Sequence, residues 1–87
     1  MRCDRINNAW QLADMYVAAG QRDTAVATYR GVLSSCTGAA EVVPTLEKAN
    51  EIATLEQLTA LFQTARSVAP GNARTLDPLE ARLRAGR

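Results

Sequence analysis

The spacing of apolar residues between Ala9 and Leu33 constrains this chain more than any other feature. Ile6, Ala9, Leu12, Ala13, Tyr16 and Ala19 recur at steps of three and four, which puts them on one side of a helix. Ala25, Val26, Tyr29, Val32, Leu33 and Cys36 repeat the pattern. Between the two runs stand Gly20, which tolerates the left-handed conformation that ends helices, and Asp23, a residue type that caps them. The pattern predicts helices over residues 5–19 and 24–35, the first capped by Asp4 after a polar lead, Met1 to Arg5. Joined by a tight turn, they form an αα-hairpin with an apolar inner face.

The rest of the chain carries a weaker version of the same signal. Pro44 suits a first helical turn but not a helix interior, so a third helix either begins near Val43 or bends at Pro44. Leu46, Ala49, Asn50 and Ala53 share one of its faces, with Ile52 beside them. Thr54 and Gln57 have capping-box spacing and open a fourth helix from Leu55 to Val68. Its apolar positions are Leu55, Leu58, Leu61, Phe62, Ala65 and Val68, and Ala69-Pro70-Gly71 ends it. Asp77 and Pro78 suit the start of a short last helix. Its Leu76, Leu79 and Leu83 either dock on the preceding hairpin or belong to a frayed tail, and Arg82, Arg84 and Arg87 face water.

Leu12, Ala13, Tyr16, Gly20, Ala25, Tyr29 and Val32 fall at the offsets of a tetratricopeptide repeat, and residues 6–38 resemble that family. The family's tryptophan position is Ala9, with Trp10 one place later, and Thr37 stands where a closing proline is usual. Phe62, Ala65 and Pro70 lie 33 places after Tyr29, Val32 and Thr37, as a second, degenerate copy in which Leu58 replaces the small Ala25. The resemblance implies an all-α fold: antiparallel helix hairpins of a right-handed superhelix, about four helices plus a short C-terminal capping helix. It implies one domain over residues 1–87, with hairpins at 5–36 and 43–69 and a cap at 76–85.

By the same resemblance, the first helix of each hairpin lines a concave face that binds a peptide or a partner subunit. The matching positions are Asn7, Trp10, Asp14 and Val17, joined by Glu47 and Asn50 from the degenerate copy. Trp10 either anchors a partner or packs against the third helix or a preceding repeat. The Lys-and-Asn pattern of family members that bind C-terminal carboxylates is absent. Stacked hairpins normally need about three repeats for stability. With two, the chain is a segment of a longer repeat protein such as a bacterial envelope or export component, or it self-associates, or a disulfide makes up the deficit. The structural alternative is a small helical homodimer with no external ligand.

Cys3 and Cys36 bear on that deficit. Facing positions in an antiparallel hairpin have a nearly constant index sum: Ala13 and Ala25 sum to 38, Cys3 and Cys36 to 39. The two sulfurs therefore meet at the open end of the hairpin, within bridging reach. Bridged, they contribute about 3–4 kcal/mol by the chain-entropy account and imply an oxidising, periplasmic or otherwise extracytoplasmic setting. Left as free thiols, they suit the cytoplasm.

Chemistry is excluded more firmly than binding. With no histidine, the chain lacks the commonest general base and the commonest metal ligand. Two cysteines alone cannot complete a tetrahedral metal site, so neither metal nor cofactor is expected. Glu47 and Glu51 sit one helical turn apart on a solvated face, and Ser34-Ser35 has no base beside it. Gly71-Asn72 is a turn, not a phosphate-binding loop. The chain is therefore not expected to be an enzyme. A net charge of +1 gives no long-range attraction for nucleic acid, although Arg82, Arg84 and Arg87 form a small basic end. No apolar run approaches the ~18 residues of a spanning helix, and Arg2 is followed by polar residues where a secretory signal would be apolar.

Overall fold

A computed structural model describes residues 3–87; Met1 and Arg2 of the polar lead lie outside it. The described chain is all-α, with five helices: α1 (Ile6–Ala18), α2 (Arg22–Ser35), α3 (Ala39–Asn50), α4 (Leu55–Val68) and α5 (Ala73–Ala85). Single 3-10 turns, Cys3–Arg5 and Pro70–Asn72, lead into α1 and α5.

The turn between α1 and α2 forms as its residues dictate. Gly20 has φ +79°, the left-handed region that side chains disfavour. Its N–H donates to the Val17 carbonyl at 3.0 Å, and the Gln21 N–H donates back to the Tyr16 carbonyl at 2.8 Å. This Schellman pair satisfies carbonyls that the end of α1 would otherwise leave open. At the far end of the hairpin, Cys3 and Cys36 form a disulfide with a Cα–Cα distance of 5.4 Å. The bridge ties the 3-10 turn before α1 to the end of α2, where Cys36 is buried.

Three expected caps belong to other positions. Asp4 lies within the first 3-10 turn, and Arg5 precedes α1 without a side-chain capping bond. Helix α2 begins at Arg22, so Asp23 is already inside its first turn. There the Asp23 carboxylate accepts from the Gln57 Nε2 amide at 2.9 Å. Gln57 itself belongs to the capping box of α4. The Thr54 hydroxyl accepts from the Gln57 N–H at 3.1 Å, and the Gln57 side-chain carbonyl accepts from the Thr54 N–H at 2.9 Å. Asp77 also lies inside a helix, because α5 starts at Ala73, and it pairs with Arg66 at 2.9 Å.

Helix α3 starts earlier than Pro44 would suggest. The Glu41 and Val42 N–H groups both donate to the Gly38 carbonyl, which sets the start of the helix at Ala39. Pro44 is then its sixth residue. The bond that proline cannot donate would have gone to Ala40, an exposed residue whose carbonyl water can reach.

The molecule measures 35 × 30 × 16 Å. A depth of 16 Å holds two layers of helices packed at the usual 8–10 Å. Helix α2 packs on α1, α3 and α4, and α4 packs on α2, α3 and α5. The result is a zigzag strip with α1, α3 and α5 in one layer and α2 and α4 in the other. Between the layers run Ala13, Ala25, Val26, Tyr29, Leu33, Leu46, Leu58, Leu61 and Phe62, continued by Leu76, Leu79 and Leu83. The last helix is therefore docked, not frayed.

Helix α1 is the edge of the strip, and this narrows its buried face. Ala13 is enclosed, but Leu12 is 42% and Met15 67% exposed. Leu55 and Val68, the first and last residues of α4, also face solvent.

The disulfide spans a sequence separation of 33, long enough for loop closure to weigh heavily in a domain of this size. Replacing both Cys3 and Cys36 by serine is expected to lower unfolding stability by about 3–4 kcal/mol. Urea denaturation of the two forms measures it, and equal midpoints would contradict the loop-closure account.

Candidate functional site

The sequence-derived face is built on α1 and α3, which run in the same direction because two chain reversals separate them. Their register is set by one bond. The Trp10 indole N–H donates to the Thr45 hydroxyl oxygen at 3.0 Å, and the Thr45 hydroxyl donates to the Glu41 carbonyl at 2.7 Å. Thr45 is fully buried, so both partners matter. Lys48, one turn along α3, sets its ammonium 5.0 Å from the centroid of the Trp10 ring. A cation so placed is attracted by the ring's negative face, by about 0.5–1 kcal/mol at an exposed site. Of the two roles open to Trp10, the geometry is that of packing against the third helix: its polar edge is bonded internally and one ring face lies under Lys48.

One turn beyond Trp10 is Asp14, and three residues beyond Lys48 is Glu51, both exposed. Beneath them lies Tyr29 of α2. Its ring is in the core, with only 3% of the residue exposed. Burial raises the Tyr29 pKa above its ordinary value, and the charges of Asp14 and Glu51 raise it further. The phenol has no hydrogen-bond partner among the described residues, yet no buried side-chain oxygen or nitrogen among them lacks one. What little of Tyr29 is exposed therefore includes its hydroxyl oxygen. Val17 and Ile52 are half-buried and packed on the core.

The other sequence-derived residues lie elsewhere on the same layer. Asn7 is exposed. Glu47 pairs with Arg82 of α5 at 3.0 Å. The Asn50 side-chain oxygen accepts from Arg87 at 2.5 Å, and Arg87 also donates to the Ala53 carbonyl. Arg84 donates to the Thr59 hydroxyl at 2.7 Å and pairs with Glu80. The expected free basic end is thus tied back onto α3 and α4, because α5 docks along both. Arg66 is held likewise. Burial works against its charge, but bonds to Glu80 and Asp77 outweigh this and raise its pKa.

The structure brings together Trp10, Asp14 and Val17 and adds Tyr29, Thr45, Lys48 and Glu51, which sequence reasoning did not assign to a site. Glu47 and Asn50 are engaged with α5 instead. A separate shallow depression of about 670 Å3 lies between α4 and α5, lined by Leu55, Glu56, Thr59, Ala60, Gln63 and Arg84. None of the sequence-derived residues borders it. Among the described residues no helix is long and apolar enough to cross a membrane.

Comparison with protein-family models, with curated proteins and with solved structures finds no match in any of the three.

Two measurements probe the geometry of the site. In a Tyr16→Phe background Tyr29 is the remaining tyrosine of two, so its ultraviolet titration is isolated. Asp14→Asn is expected to shift that titration downward, toward the ordinary ~10. Because folding raises this pKa, the phenol's contribution to stability is full below about pH 10 and is lost as pH rises through the folded value. An unchanged titration would mean that Asp14 does not act on the phenol. Separately, Thr45→Val leaves the Trp10 indole N–H unpaired and is expected to cost about 1–2 kcal/mol in urea unfolding.

Proposed function

We propose that this protein is a non-enzymatic interaction module of stacked, tetratricopeptide-like hairpins, and that the α1–α3 side of its strip binds a peptide or a partner subunit. The observation that carries this reading is the exposed Asp14 with the half-buried Val17 on α1, the helix that Trp10 joins to Thr45 of α3. Polar groups not committed to the fold beside half-buried apolar side chains are what an extended segment needs for orientation and affinity.

We further take the chain to act within a longer array, in the manner of an envelope or export component. Leu12 and Met15 on the outer flank of α1 suit a preceding hairpin, and the Cys3–Cys36 bridge suits an oxidising compartment. The same flank favours a second reading, a homodimer through Leu12 and Met15.

Light scattering across concentration, with Leu12→Ser/Met15→Ser beside the parent chain, separates the two. A homodimer is expected to dissociate in the variant; a monomer at all concentrations removes that reading. Peptides selected from a random library are expected to lose at least about 10-fold in affinity with Asp14→Ala/Val17→Ala and to keep it with Glu56→Ala in the α4–α5 depression. The reverse pattern would move the site to that depression.

A further inference from the structure

We propose that Cys3 is a site of reversible modification by small thiols of the glutathione class. Such a thiol opens the Cys3–Cys36 bridge at the Cys3 sulfur, becomes joined to Cys3, and leaves Cys36 as an enclosed thiol.

Three observations carry it. First, the two halves of the bridge differ in burial. Cys36 is 1% exposed, whereas Cys3 is partly exposed, in a 3-10 turn that has no buried residue. The Cys3 Sγ lies 3.2 Å from the Ser35 carbonyl oxygen, in an exposed setting. A thiolate must touch the sulfur it attacks, so access decides which of the two is struck. Second, the chain on either side of the bridge is held differently. Cys36 follows α2, which buries Ala25, Val26, Tyr29, Val32 and Leu33, and its N–H donates to the Val32 carbonyl at 2.7 Å. From Cys3 to Leu12 no residue is buried. Opening the bridge therefore frees the Cys3 side and leaves the Cys36 side in place. Third, the freed side stays near. The Gly20 turn and the Trp10–Thr45 bond at 3.0 Å still hold α1 on its neighbours. Return of Cys3 to the enclosed Cys36 thiol is then an intramolecular event at high effective concentration.

The exchange balances without an outside oxidant. The small thiolate attacks the Cys3 Sγ, and a new sulfur–sulfur bond forms there as the Cys3–Cys36 bond breaks. The bonding pair leaves on the Cys36 Sγ, which takes a proton from water. In the return step the Cys36 thiolate attacks the Cys3 Sγ and expels the small thiol. Burial disfavours the Cys36 thiolate, so opening is slower than in an unfolded chain, but the sulfur that is reached stays the same.

The test incubates the full, bridged chain with reduced glutathione, once folded and once in urea. N-ethylmaleimide stops the exchange and marks the free thiol, and mass spectrometry after digestion locates both groups. In the folded chain glutathione is expected on Cys3 at least about 10-fold more often than on Cys36, with the maleimide on Cys36. In urea, where both sulfurs are accessible, the two positions are expected to carry it within about 2-fold of each other. Amide hydrogen exchange of the once-opened chain is expected to quicken over residues 3–9 and to stay slow over residues 58–65. Glutathione shared equally in the folded chain, or held mainly by Cys36, would overturn the assignment. So would a folded chain that takes up none at a concentration that opens the bridge in urea. Amide exchange that quickens equally over both segments would mean that the bridge opens only by unfolding, and would overturn it as well.

Discussion

Ala13 and Ala25 meet where α1 crosses α2, and both are wholly enclosed. A methyl group on each side is small, so the two helix backbones can approach closely there. Tyr29 of α2 belongs to the same core, with its ring almost wholly enclosed. A larger side chain at either crossing position would lift α1 from α2 and move Trp10 away from Thr45. The Trp10–Thr45 bond that joins α1 to α3 thus depends on two small residues at a different interface.

Electrostatics divides the surface into two kinds of region. Around α5 four arginines are drawn into the fold: Arg66 of α4 bonds to α5, and Arg82, Arg84 and Arg87 bond to groups on other helices or on the neighbouring turn. These links are exposed and individually weak, but together they hold the last helix on α3 and α4. Between α1 and α3 the carboxylates are left without such partners.

The helices and the hairpin turn could be read from the sequence because they obey local rules. The left-handed Gly20, the Thr54–Gln57 box and the sulfur pairing all follow from spacing within or between two adjacent helices. The helix starts were harder. Asp4, Asp23 and Asp77 are good caps by type, but each is drawn into a turn or a helix, and two of them find partners on distant helices. Leu12 belongs to the apolar stripe by spacing, but only packing order decides whether an edge helix has one neighbour layer or two. Glu47 and Asn50 went to α5 for the same kind of reason: the docking angle of a last helix is a tertiary property. Tyr29 was assigned to the core, which is right for its ring. The 35-residue interval from Trp10 to Thr45, close to the 33-residue spacing of the two hairpins, was the one available signal for the α1–α3 contact.

Gln57 closes the cap of α4 with one part of its amide and holds Asp23 at the head of α2 with the other. Loss of the first turn of either helix therefore exposes the other. In open repeat arrays a terminal unit can peel off while its neighbours stay folded. Here the clasp, together with the sulfur bridge at the opposite end of α2, fastens both ends of the central rod. One amide and one sulfur pair thereby couple the first turns of α2 and α4 and the lead into α1.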